Sequence, residues 1–333
     1  MPVRITDESA LIVWDAKSGT EQFVRRAHFE TKSKDFGFFV PTPSRPTLGE
    51  VPDNVFKRLE VELQPKVEHR DRISDEWSFF LARTRIKNTF NAAADSLNVD
   101  EDDNVSVIEG KRIGDYNATV LKANDATTLK VWLRSHHYTA TSNFEEWASP
   151  YIQKGWYLTA FKIASDVKRT YATAKAVALT FKAEAPFYPY RESKRAQQMK
   201  GARTLRLFYI GNDRPDARIK DDNYAQLWPA QTDYSATLSA SSLAENHLTL
   251  PSGPLRLTAF TDASHPRPGW ADLVFASADD QNEKTPPPHI IWHDRTVYIP
   301  LDAIAFVLAV ATAFCWDLHL KRAKKARKSV EAM

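Results

Sequence analysis

The residues in this chain that could do chemistry are two histidine pairs, an acidic run and one aromatic cluster. His136 and His137 follow a helical stretch and precede Tyr138. Adjacent imidazoles can bind metal, but a site needs a third ligand that the surrounding sequence does not identify. A helix C-terminus favours a protonated imidazole, so capping is the preferred role for this pair. His289 and His293 are four apart, but Pro286-Pro-Pro-His-Ile-Ile-Trp-His293 is proline-led and β-branched, which disfavours the helix that would bring both rings to one ion. That segment reads as a stalk entering a membrane interface. Asp100-Glu-Asp-Asp103 superficially resembles a calcium loop, with Asp100, Asp102 and Asn104 at alternating positions. Its sixth position is Val105 where glycine is required, and its twelfth is Lys111 where the bidentate glutamate belongs. No metal and no cofactor is assigned to the chain.

The aromatic cluster is Phe187, Tyr188, Tyr190 and Arg191, within Pro186-Phe-Tyr-Pro-Tyr-Arg191. Aromatics and arginine are enriched at binding hot spots, and this grouping could line a groove for a peptide, a glycan or a partner strand. The same residues also serve in core packing at a sheet end, the favoured reading. No G-x-S-x-G elbow, phosphate loop, dinucleotide fingerprint, H-E-x-x-H pair or paired-cysteine site occurs. The single cysteine, Cys315, lies in an apolar run, so the globular part has neither disulfide nor thiolate nucleophile. Two functional classes stay open. The favoured one is a binding or structural module of the cell envelope. The alternative is a membrane-tethered hydrolase or metal-dependent enzyme built from His and carboxylate residues. An apolar, aromatic concavity favours the first; convergence of His136, His137 and carboxylates in a polar pocket favours the second.

The end of the chain determines where such a module works. An apolar run from Val297 to Trp316 is followed at once by Lys321, Arg322, Lys324, Lys325, Arg327 and Lys328. Roughly 20 apolar residues cross a bilayer as a helix, and basic residues flanking a span stay on the cytoplasmic side. Pro300 suits a first helical turn, Asp302 suits the positive end of the helix dipole, and Tyr298 and Trp316 suit the two interfaces. A buried core helix over Ala303 to Trp316 is the competing reading, and a surface-lying amphipathic helix is third, since this stretch has no polar face. The reading adopted is a single-pass anchor with residues 1 to about 290 outside and a cytoplasmic tail. The N-terminal sequence has no apolar leader, so this orientation requires a missing or removed one.

The formal net charge is +3 and the hydrophobic content 43%, enough for a substantial core. The excess charge sits in the tail, which leaves the rest close to neutral and argues against a nucleic-acid partner. The tail itself suits anionic headgroups, making the lipid bilayer one expected partner and another envelope protein or a wall component the second.

Several elements must position these groups. Ala10 to Asp15 and Glu21 to Phe29 read as a hairpin around Ala16-Lys-Ser-Gly-Thr20. Phe36 to Val40 reads as a third strand stopped by Pro41, Pro43 and Pro46. Asn54 to Leu63 reads as a short helix with Asp53 as its cap, and Gln64 to Arg72 has no clear pattern. Val105 to Leu121 predicts two strands around Lys111. Asp125 caps a helix from Ala126 to Ser135, and a second helix spans Asn143 to Gln153, stopped by Gly155. Trp156 to Ile163, Ala176 to Ala183 and Leu205 to Ile210 alternate as strands, and Leu255 to Phe260 and Leu273 to Phe275 are strands among turns. Strands, then helices, then strands give an α+β fold of mainly antiparallel sheets with a few helices on one side, plus the C-terminal transmembrane helix.

Ala10-Leu-Ile-Val-Trp-Asp15, Asp35-Phe-Gly-Phe-Phe-Val-Pro-Thr-Pro43, Tyr116-Asn-Ala-Thr-Val-Leu121, Trp132-Leu133, Gly155-Trp-Tyr-Leu-Thr-Ala-Phe-Lys162 and Pro186-Phe-Tyr-Pro-Tyr-Arg191 together resemble the bacterial family catalogued as domain of unknown function 2330, over residues 5 to 215. The resemblance implies a secretory leader and often cysteines near the mature N-terminus, neither of which is present here. It implies no enzymatic mechanism. The expected organisation is an α+β domain over 1–215, a β-rich region over 216–285 that either completes the first sheet or stands alone, a stalk over 286–296, the span over 297–320 and the tail over 321–333.

Overall fold

The computed structural model describes residues 4–30, 37–52, 54–78, 111–136, 138, 143–163, 172–173, 176–193, 197, 203–243 and 247–331. His137 and the acidic run at 100–103 lie outside them, as does the proposed cap Asp53. The chain forms two compact units. The first comprises Met1–Pro65 with Val105–Pro286, and the second Lys66–Asn104 with Pro287–Met333.

In chain order the elements begin with β1 (Arg4–Asp15), β2 (Thr20–Glu30), β3 (Gly37–Thr42), β4 (Thr47–Glu50), α1 (Val55–Glu62) and β5 (Val67–Ser78). There follow β6 (Lys111–Ile113), β7 (Tyr116–Leu121), α2 (Ala126–Ser135), α3 (Phe144–Gln153), β8 (Tyr157–Ile163), β9 (Ala172–Thr173), β10 (Val177–Lys182) and β11 (Phe187–Tyr188). The last are β12 (Thr204–Gly211), β13 (Pro215–Lys220), β14 (Ala225–Leu227), β15 (Gln231–Leu238), β16 (Leu255–Asp262), β17 (Asp272–Ser277), β18 (His289–Pro300) and α4 (Leu301–Glu331).

The first unit is organised by one sheet in the order β15-β16-β12-β1-β2-β10-β4, with β9 also on β2. Its pairs are antiparallel except β1 with β12, which run parallel with Ala10 beside Leu207. Residues on β1 alternate between the two faces, yet Ala10, Leu11, Ile12 and Val13 are all buried. The sheet is therefore covered on both sides, which explains an unbroken apolar run in place of alternation. One face, with Ile12, Phe23, Leu179 and Leu207, packs with residues of the sheets β3-β8-β7-β6 and β11-β17-β13-β14. The other, with Leu11, Val24 and Phe208, packs on Val55, Phe56 and Leu59 of α1. Helices α2 and α3 join Leu158 of β8 in a third cluster through Leu129, Leu133, Phe144 and Ile152. The result is an α+β fold dominated by antiparallel sheets. Region 216–285 adds strands to two sheets: β15 and β16 extend the large one beyond β12, and β13, β14 and β17 build the sheet that holds β11.

Local signals explain several boundaries. Asp125 caps α2, its carboxylate accepting the Thr128 N–H at 2.7 Å and the Thr128 hydroxyl. Asp125→Ala is expected to cost about 1 kcal/mol, read as a lowered urea midpoint of the first unit. Two expectations are corrected. Of the prolines expected to stop β3, Pro41 lies within it, opposite Leu158, because β3 is an edge strand that needs no donor there, and the strand ends at Thr42, directly before Pro43. The turn of the β6–β7 hairpin is at Gly114 and Asp115, not at Lys111, because Gly114 supplies the positive φ of +55° that the turn requires.

In the second unit β5 and β18 form a two-stranded parallel ladder, from His289 beside Val67 to Pro300 beside Ser78. Gln64 to Arg72 showed no pattern because this ribbon exposes both faces: Val67, Ile73 and Trp292 are all open to solvent. The helix starts at Leu301, so Tyr298 and Pro300 belong to the strand, opposite Glu76 and Ser78, and not to the helix. Asp302 lies in the first turn, where its carboxylate accepts the Ala303 N–H. Leu301–Arg322 is long and apolar enough to cross a membrane, and the helix continues through the basic residues to Glu331. Cys315 and Trp316 are exposed on it.

Candidate functional site

Inside the first unit a cavity of about 300 Å³ opens between the aromatic residues of β3 and α3 and the segment that follows β11. Phe38, Phe39, Phe144 and Trp147 form one wall. Gly37 sits at its edge, where a Cβ would lie 2.4 Å from the Phe161 carbonyl oxygen, so the close approach of β3 to β8 requires glycine. Tyr188, Pro189, Tyr190 and Arg191 form the opposite wall. The two walls are tied by the Trp147 indole N–H, which donates to the Arg191 carbonyl at 3.1 Å.

The polar lining comes from residues distant in sequence. Glu8 of β1 and Arg25 of β2 point to the inner face of the large sheet, where alternation from Ile12 and Phe23 would place apolar side chains. They form a buried ion pair, with Arg25 Nε 2.6 Å from Glu8 Oε1. The Tyr188 hydroxyl donates to the same oxygen at 2.6 Å, and Arg25 lies 5.0 Å from the centre of the Phe38 ring. Burial would raise the Glu8 pKa, but Arg25, Arg267 and the Tyr188 hydroxyl together hold it below the ordinary value. For Tyr188, burial and then the Glu8 charge push the phenol well above its usual range, so it stays a donor.

A second cluster adjoins the first. Arg203 pairs with Glu192, and Arg267 lies 3.5 Å from Glu192 and 3.4 Å from Asp262. The Tyr190 hydroxyl donates to Asp262 at 2.7 Å, and the Arg267 guanidinium stands 5.4 Å from the Tyr190 ring centre. Burial raises the Glu192 pKa, and the charges of Arg203 and Arg267 only partly offset it. Arg25, Arg191, Arg203 and Arg267 thus face the cavity with Glu8 and Glu192 as the carboxylates of its lining. This combination suits charge-assisted recognition of a ligand with an apolar body.

The residues singled out by sequence divide between this cavity and other places. Tyr188, Tyr190 and Arg191 line it. Phe187 does not; it is buried against Trp156 and Phe181, and its N–H donates to Glu21. His136 is at the α2 C-terminus, with its ring stacked 4.0 Å from Trp132 and Nδ1 2.9 Å from the Trp132 carbonyl oxygen, and it is not part of the cavity lining. His289 and His293 lie on β18, where His293 Nε2 is 2.6 Å from His69 Nδ1, a contact that needs a lone pair on one ring. In α4, Lys321 pairs with Asp317, Arg322 and Lys324 are exposed, and Lys325 continues the helix. Among the described residues no three His, Cys, Asp or Glu side chains converge on a metal position. Glu8, Arg25, Glu192, Arg203 and Arg267 were missed by sequence reasoning. The available signal was a charge at an inward position of a strand otherwise apolar on that face, legible for Glu8 and Arg25 alone.

No curated protein is detectably similar to this chain in sequence. Among solved structures, the crystal structure of baculovirus P35 is 8% identical over 83% of this chain and 98% of its own, with a TM-score of 0.39. A mutated baculovirus P35 after caspase cleavage gives 8% identity over 82% of this chain and 99% of its own, with a TM-score of 0.35. Likenesses at this level extend to neither fold nor function. The family described as an uncharacterized protein conserved in bacteria matches residues 2–261, which include both cavity walls and every polar lining residue except Arg267. The chain is a member of that family, DUF2330.

Proposed function

We propose that the first unit is a binding module of the bacterial cell envelope, tethered by α4 with its basic end in the cytoplasm and residues 1 to about 290 outside. The observation that carries this reading is the cavity: two aromatic walls around fixed charged groups, with no histidine or cysteine among the described residues of its lining. Such a constellation recognises and orients a ligand. The apolar Leu301–Arg322 segment and the cations beyond it support the membrane tether and its orientation. The ligand would be a wall component or an exposed part of another envelope protein.

Topology and binding can be tested on the full chain. Protease added to intact cells is expected to remove the globular part and spare the basic tail; protection of residues 1 to about 290 would refute an external module. For binding, the nine tryptophans can be labelled with fluorotryptophan in bilayer discs and the Trp147 resonance assigned with Trp147→Phe. Soluble wall fragments, or the soluble domain of an envelope partner, are expected to shift that resonance saturably. A Trp147 signal that none of them moves would overturn the binding reading.

A further inference from the structure

We infer that His69 and His293 form a pH-sensitive clasp on the β5–β18 ribbon, closed while at least one imidazole is neutral and opened when acid protonates both. The clasp goes beyond the binding reading and does not depend on it. The two histidines are 224 residues apart in sequence and lie on different strands. In the ladder His69 stands beside Ile291 and His293 beside Asp71, so the two are diagonal neighbours on the same face. Their ring planes differ by 20°, their centres are 4.9 Å apart, and His69 Nδ1 lies 2.6 Å from His293 Nε2. Because the nitrogens are so much closer than the centres, the rings meet edge on, nitrogen to nitrogen, and do not overlap. One nitrogen donates and the other accepts, whereas two imidazolium rings offer donors only.

The ribbon is where one such bond has leverage. A two-stranded sheet is marginal by itself, and parallel pairing is the weaker kind. Val67, Ile73 and Trp292 are exposed, so no core of described residues backs the ladder, and cross-strand side-chain pairs carry a large share of its stability. The charges around the pair accommodate one proton and not two. Asp71 stands beside His293 on the same face, where His289 and Arg295 of β18 are also placed. On the opposite face Glu68 is held by Arg70 at 2.9 Å, Arg72 lies 5.0 Å from the Trp292 ring centre, and Asp294 stands beside Arg72. A doubly protonated pair therefore loses its hydrogen bond and sets like charges against each other, with one neighbouring carboxylate to offset them. β18 runs without a break into α4 at Leu301, so acid loosens the strand that leads into the apolar helix from its partner β5.

The test is amide hydrogen exchange on the full chain in bilayer discs at about pH 7.5 and about pH 4.5, the latter roughly two units below the ordinary imidazole value. After correction for intrinsic exchange, protection of the β5 and β18 amides is expected to fall about tenfold at the lower pH, the effect of losing one charged hydrogen bond. In His69→Gln and His293→Gln it is expected to stay level, since a carboxamide gains no charge. A fall of the same size in both variants overturns the inference and assigns the change to carboxylates. An unchanged ribbon in the parent chain overturns it too. Where the variants show no ribbon protection at either pH, nitrogen NMR of the parent chain with labelled histidine decides. A coupling between the two ring nitrogens at about pH 7.5 that vanishes at about pH 4.5 is expected, and its absence at the higher pH refutes the clasp. Protection that falls on adding EDTA at about pH 7.5 also refutes it, because a metal ion and not a proton then joins the rings. None of these outcomes bears on the cavity, so the binding reading stands or falls separately.

Discussion

Arg25→Ala is expected to destabilise the first unit by about 3–5 kcal/mol, because it leaves the buried Glu8 without its ion-pair partner and with only the farther charge of Arg267 to offset it. Glu8 is 4% exposed, and its Oε1 lies 2.6 Å from Arg25 Nε. The hydrogen bond from Tyr188 remains in the variant but cannot neutralise the charge. Packing of the guanidinium against Phe38 is lost with it, so the aromatic wall loosens as the floor does. Replacing both partners by Glu8→Leu and Arg25→Met is expected to recover most of the loss, since a buried pair is commonly no better than apolar side chains of similar volume. Urea unfolding of the single and double variants measures this directly. A cost below about 1 kcal/mol for Arg25→Ala would show that water reaches Glu8. The sign of the pH effect follows from the lowered Glu8 pKa: its contribution is present above the unfolded value of about 4.5 and is lost as the pH falls through the folded value.

Glu21 acts in the opposite direction and over a wider range. It is fully buried on β2, its Oε2 accepts the Phe187 N–H at 2.9 Å, and its Oε1 has no hydrogen-bond partner. Burial pushes its pKa well above the ordinary value, and the Phe187 N–H only partly pulls it back. Its folded state therefore holds a proton that the unfolded state releases near 4.5. The resulting stability is fully present below that value and declines as the pH rises, by about 1.4 kcal/mol per pH unit until the folded pKa is passed. Glu21→Gln keeps an acceptor for Phe187 but has no proton to lose. Above about pH 5 the variant is expected to gain steadily on the parent chain in urea midpoint until the folded pKa of Glu21 is passed. Parallel profiles would mean that Glu21 is not the titrating group.

What could be read from the sequence was local. The β1–β2 hairpin, the α2 helix with its Asp125 cap and the α3 helix each carry their signals within a few residues, and the structure reproduces them closely. Partners were not legible, because alternation marks a strand without naming its neighbour: nothing in Leu205 to Ile210 identifies β1, and nothing in Val67 to Ser78 identifies β18. The cavity was half visible for the same reason. Tyr188, Tyr190 and Arg191 stand together in one motif, but the groups that complete the lining come from β1, β2, β3, α3 and the loop after β16, brought together only by the tertiary fold. Arg267 in particular follows Pro266 in an irregular stretch, where a charged residue ordinarily signals solvent.

The parallel pairing of β1 with β12 sets the order in which the first unit can assemble. The β1–β2 hairpin is complete by residue 30, yet its sheet neighbours are β12 on one side and β10 on the other. During synthesis both of its edges therefore stay unsatisfied until β10 begins at Val177, and the β1 edge until β12 begins at Thr204, the condition that invites pairing with other chains. Closing contacts so distant in sequence is slow. A chain truncated before Thr204 lacks the strand that covers the β1 edge, so fragments designed around the N-terminal strands alone should aggregate, and useful boundaries begin beyond Asp262, where the large sheet is complete.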